Sequence, residues 1–227
     1  MKKLLLTLAA SVGLSAPILA NDFQSNPLNY PEEYFSNHSM GCLLLQKCKD
    51  GVIEVTSIKT IENYYGTSFN NVKDEFNELL KLVNDVGSKI YLAPEEYFPF
   101  GHRGVYHTVS NHFYLNDRFM KNSGTLMSVV RHEGWHMAQD CMAGDINNTF
   151  IAVIFDDKKI PQLWKDIAKD TYPKSALPWE QEAMWTGRTK NMTIDALKAC
   201  KTGEMWKIYP PTPLTKKFLL DKGYIKN

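Results

Sequence analysis

Arg131-His132-Glu133-Gly134-Trp135-His136 decides how the rest of the chain is read. At about 3.6 residues per turn, His132 and His136 stand one above the other on a helix face, so both imidazoles can reach one metal ion. Glu133 sits beside that face, where it can act on a metal-bound water without occupying a coordination position. Zinc suits such a base, because it lowers the pKa of its water to about 7 and polarises a carbonyl. With only six His in 227 residues, chance alone gives an H-E-x-x-H in roughly one chain in a hundred. A mid-helix glycine costs about 1 kcal/mol, so Gly134 implies a close approach to the backbone.

Working outward, residues 125–143 form the helix that carries this motif, with Ser123 as cap and Gly144 as terminator. Upstream, Phe69, Val72, Phe76, Leu79, Leu80 and Val83 recur at three- and four-residue steps, which predicts a helix over 68–86 stopped by Gly87. Between the two lie short runs rich in Tyr, Val, Ile and Phe at 89–93, 104–109 and 112–116, read as a sheet. Residues 42–46 and 52–58 flank Lys49-Asp50-Gly51, a turn signal that predicts a hairpin. Further helices are expected at 161–170, 178–189, 193–201 and 213–222. The class is α+β, with β elements early and helices late. There are no repeats, low-complexity tracts or long linkers, so residues 21–227 are expected to form one domain with an N-terminal arm over 21–40.

At these residues the chain resembles the zincin metallopeptidases, whose core is a backing helix, a mixed sheet with an antiparallel edge strand, and then the H-E-x-x-H helix. The order of elements matches over 68–143. A metzincin would continue with Gly and His where Gln139 and Met142 stand, which excludes that branch. Neither Asp140 nor Asp145 lies in the Gly-Thr-x-Asp setting of the aspzincins. Glu180-Gln181-Glu182-Ala183 is similar to the E-x-E-A segment of gluzincins, which implies Glu180 as third zinc ligand with Glu182 as the fallback. Two residues apart on a helix, these carboxylates point about 200° from each other, so only one can face the metal. Met184 occupies the place where the family often has an Asp or Asn that orients a ligating imidazole. Asp140 or a backbone carbonyl is then expected to accept the hydrogen bond that imidazole needs. The resemblance further implies that the edge strand, 104–109, pairs with an extended peptide. His107, Tyr106, Tyr172, Arg188 and Tyr209 are eligible to stabilise an oxyanion. Surface or packing roles are expected for His38, His102 and His112.

The N-terminus reads as a secretory signal peptide over 1–20, because Lys2 and Lys3 precede an apolar run that ends at Ala20. No later stretch is apolar enough to span a bilayer. Composition allows a sizeable core, at 44% hydrophobic and 12% aromatic residues. The formal charge is +1, or about −1 without Lys2 and Lys3, so nothing draws the chain toward nucleic acid or anionic lipid. Export makes the four cysteines candidates for disulfides, and Cys42–Cys48 with Cys141–Cys200 is the favoured pairing of the three possible. The function expected is that of a secreted or periplasmic zinc peptidase with one Zn2+ held by His132, His136 and Glu180. Glu133 is its base and a protein or peptide its substrate. The alternative is a non-catalytic zincin-like binding or assembly domain.

Overall fold

The structure, a computed structural model, describes residues 9–12, 40–44, 47 and 50–226. Most of the expected signal peptide, the arm before residue 40 and Cys48 therefore lie outside the described residues.

Five strands form a mixed sheet: β1 (Ala9–Val12), β2 (Ile53–Glu54), β3 (Lys89–Ala93), β4 (His102–His107) and β5 (His112–Asn116), in the order β1-β4-β5-β3-β2. β3 and β5 run parallel, while β4 is antiparallel to β5 and carries β1 antiparallel on its outer side. Alternation along the strands sorts their side chains. Ile90, Leu92, Tyr106, Phe113 and Leu115 face the main core, while Tyr114, Val105 and Ala93 belong to a smaller cluster with Leu43 and Phe98 on the other face.

The helices are α1 (Met40–Leu44), α2 (Ile58–Tyr65), α3 (Lys73–Asp85), α4 (Ser123–Met142), α5 (Gln162–Thr171), α6 (Leu177–Gly187), α7 (Met192–Lys201), α8 (Met205–Ile208) and α9 (Pro213–Asp221). α3 buries Phe76, Leu79, Leu80, Leu82 and Val83 and stops where Gly87 takes a φ of 98°. α4 is buried on nearly every side, lying between the sheet and the helices α3, α6 and α7. Arg131 ties it to α3 through a two-pronged ion pair with Glu75, at 2.7 Å from Nε and 2.8 Å from Nη2. Gly134 admits α7, since a Cβ there would stand 2.8 Å from Thr193 Cγ2. Cys141 at the end of α4 is bridged to Cys200 on α7, which is the second pairing expected. Cys42 is also disulfide-bonded, but its expected partner Cys48 is not among the described residues.

Two expectations need correction. The hairpin over 42–46 and 52–58 does not form: Cys42 lies in α1, and residues 53–54 pair with β3 instead. Val55 and Ile58 are drawn into the main core, and Ile58 starts a helix whose apolar positions had read as β-formers. The cap of α4 is Asn122, whose side-chain oxygen accepts from Thr125 N at 2.9 Å; Ser123 is the first helical residue and accepts from Asn71.

Candidate metal centre

His132 and His136 project from one face of α4 with their Nε2 atoms 3.1 Å apart. Glu180, in the first turn of α6, places Oε2 3.3 Å from His132 Nε2 and 3.5 Å from His136 Nε2. All three residues are buried. Among the described residues they form a group able to hold a metal ion. Neighbouring donors of a tetrahedral ion with bonds of about 2.0–2.1 Å lie about 3.3 Å apart, which these spacings match. Glu180 Oε2 is enclosed and turned toward the two imidazoles. Two histidines and one carboxylate are also a donor set used by catalytic zinc.

Glycine brings the second helix this close. A Cβ on Gly187 would sit 2.9 Å from Ser128 O and 3.2 Å from His132 Cβ, so α6 can lie against α4 only because position 187 has no side chain. The charges agree with the geometry. Burial opposes ionisation of Glu180, yet the positive His136 and the hydrogen bonds of both histidines bring its pKa down to about 2. Burial likewise opposes a charge on His136, and Glu180 with Glu133 lifts it to about 9.

Glu133 is fully enclosed and points toward the sheet. A Cβ on Gly104 of β4 would come within 3.2 Å of Glu133 Oε1 and 2.7 Å of Val129 Cγ1. The carboxylate thus lies where β4 passes close to α4. β1 runs along the same strand, with Ser11 opposite Gly104 and Val12 opposite His102.

Glu182 faces away from the histidines, as the helical rotation requires. Its Oε2 accepts from Trp135 Nε1 at 3.1 Å, Gln139 Nε2 at 2.8 Å and Ile154 N at 3.1 Å, and Oε1 accepts from Phe155 N at 2.6 Å. Burial raises its pKa to about 7 against the pull of these donors. The acceptor for the metal-helix imidazole is not Asp140. His136 Nδ1 lies 2.8 Å from Gln139 Oε1, whereas Asp140 accepts from Tyr106 OH at 2.9 Å. Burial lifts the Asp140 carboxyl to about 9, so it is neutral at pH 7. Met184, at the position where gluzincins often have an orienting Asp or Asn, packs with Ala168 and Tyr172. Gln139 is one turn beyond His136 on the same face, and the three-residue spacing was the signal available for it.

The remaining candidates separate by position. Tyr172 stacks on His132, with ring centroids 6.5 Å apart and planes 17° from parallel. Tyr106 is committed to Asp140, and His107 lies on the other face of β4 with Nδ1 2.9 Å from Ser110 Oγ. Tyr209 packs on Phe155, while Arg188 follows Gly187 at the exposed end of α6. His102 is more central than its turn-like setting implied. Burial depresses its pKa to about 4, and the Glu180 charge is felt there. Its Nδ1–H donates to Pro99 O at 3.2 Å.

Comparison with protein-family models, curated proteins and solved structures returned no match.

Proposed function

We propose that this chain is a zinc-dependent hydrolase of the gluzincin-like zincin type, acting as a peptidase after export. The observation that carries the reading is the convergence of His132 Nε2, His136 Nε2 and Glu180 Oε2 at 3.1–3.5 Å, with Glu133 alongside and β4 adjacent to it. When bound, zinc supplies an acidified water and polarises the substrate carbonyl.

The chain's own residues do the rest. Glu133 takes the proton of the attacking water on a carboxylate oxygen and delivers it to the amide nitrogen as the C–N bond breaks, a role that a purely structural site does not need. Enclosure strengthens every charge in the site and keeps bulk water from competing. β4 holds an extended segment by backbone hydrogen bonds; β1, which lies within the stretch expected to leave on export, pairs antiparallel there beside Glu133, and that pairing supports a peptide as the substrate. The Cys141–Cys200 bridge supports an oxidising compartment, secreted or periplasmic. Among the described residues no helix is long and apolar enough to cross a membrane.

Glu133→Gln tests the reading. The variant is expected to keep zinc within about threefold of the parent and to lose about 10²–10⁴ in the rate of peptide-library digestion. A variant as fast as the parent refutes the mechanism. A parent that binds zinc and cleaves nothing points to a binding domain.

A further inference from the structure

The side chains of Gln139 and Glu182 are both buried, and neither belongs to the donor set or to the base. The amide of Gln139 bridges two elements. One end meets His136 Nδ1 at 2.8 Å, and the other meets Trp179 O at 3.1 Å and Glu182 Oε2 at 2.8 Å. A peptide carbonyl can only accept, so the end facing Trp179 is the NH2 group and the end facing His136 is the oxygen. An oxygen there requires a proton on His136 Nδ1, which leaves Nε2 to face Glu180 and His132. Glu182 fixes this arrangement from behind. Its two oxygens collect N–H groups from Trp135, Gln139, Ile154 and Phe155, so α4, α6 and the 151–155 segment share one anchor. A backbone bond from Ala152 N to Gln139 O at 2.9 Å closes the frame.

We propose that Gln139 and Glu182 are positioning residues of the metal centre: Glu182 orients the Gln139 amide, and Gln139 sets the tautomer and ring direction of His136. The inference rests on the reading of His132, His136 and Glu180 as ligands. It assigns the orienting role to a neutral amide on α4, backed by a carboxylate from α6, rather than to an acid in direct contact with the imidazole. Glu182 acts on the ring only through the Gln139 amide, so once either residue is changed, changing the other removes little more.

The test is a double-mutant cycle on zinc affinity, measured by competition with a chromophoric chelator, for the parent, Gln139→Met, Glu182→Gln and the pair combined. Loss of an outer hydrogen-bond partner lowers metal affinity about 10–100-fold, and each single variant is expected to fall in that range. The double variant is expected to lose no more affinity than the weaker-binding single one. A double loss equal to the product of the single losses overturns the coupling, as do single variants within twofold of the parent. If Glu182→Gln does not fold, Gln139→Met keeps the side-chain length and removes the acceptor, with the same tenfold loss expected. A second readout is the exchange of the His136 Nδ1 proton by NMR. It is slow in the parent and fast in Gln139→Met, with or without zinc; slow exchange in the variant overturns the proposal. A parent that binds no zinc defeats the functional reading, while the proton exchange still decides the positioning.

Discussion

Glu180 and Glu182 stand two residues apart on one helix, and truncating each should damage a different property. Glu180→Ala removes one of three donors. At zinc a thousandfold above its dissociation constant, binding stabilises the fold by about 4.1 kcal/mol; a hundredfold loss of affinity leaves about 1.4 kcal/mol. For a chain of 227 residues, with about 2–4 °C per kcal/mol, the zinc-induced rise in melting temperature should shrink by about 8 °C. Glu182→Ala instead takes the acceptor from three buried N–H groups and one part-buried one. At about 2 kcal/mol each they cost about 8 kcal/mol. Relief of a carboxyl that burial holds near 7, against an ordinary value of about 4.3, returns roughly 3 kcal/mol. The net loss of about 5 kcal/mol lowers the melting temperature by about 15 °C even in chelator. Scanning calorimetry of both variants, with EDTA and with zinc, separates the two effects. The reasoning is refuted if Glu182→Ala melts with the parent in EDTA, or if Glu180→Ala keeps the full zinc shift.

Asp140→Asn addresses pH. The folded carboxyl, raised to about 9 from 3.8, holds a proton that the unfolded chain releases, so its contribution is complete below the unfolded value and is lost as pH climbs toward 9. The slope is at most about 1.4 kcal/mol per pH unit. The variant should therefore gain stability over the parent steadily from pH 5 to 8 in urea titrations, and parallel curves would contradict this. Gly134→Ala, which helix propensity alone favours by about 1 kcal/mol, should instead destabilise by about 1–3 kcal/mol, because its methyl group meets Thr193 Cγ2 at 2.8 Å; an unchanged urea midpoint would count against that contact. Reduction of the Cys141–Cys200 bridge, whose ends are 59 residues apart, should cost about 4 kcal/mol on the chain-entropy scale, read as a lower melting temperature after thiol treatment.

The parts of this fold legible in the sequence were those with a one-sided environment. α3 has one apolar stripe against the core, and β3 and β5 have clear alternation and turn residues at both ends, so their bounds fell within a few residues. α4 is enclosed by sheet and helices together, which erases its amphipathic signal; only the H-E-x-x-H spacing, Ser123 read as a cap and Gly144 marked it. The convergence of Glu180 on the two histidines came through the E-x-E-A resemblance, and no local pattern contains it. What sequence could not show is partnership at a distance. The β-formers at 52–58 were spent on a two-residue strand and a helix start, because the core, not the Asp50-Gly51 turn, claims Val55 and Ile58. Asp140 looked the better imidazole acceptor because it is acidic. It lies on the side of α4 that meets Tyr106, and the neutral Gln139 takes the bond.

The bridge from Cys141 to Cys200 closes a covalent ring around the second half of the site. Both histidines lie just before the ring, and Glu180 and Glu182 lie inside it. A chain cut at any one peptide bond between 142 and 199 therefore remains a single molecule, with its third donor still leashed to the helix that bears the other two. On a denaturing gel without thiol such a nicked form runs as one species, and with thiol it divides. Surface loops such as 144–150 can then be severed without setting α6 adrift, so integrity of the backbone and integrity of the candidate metal centre become separate properties of this protein.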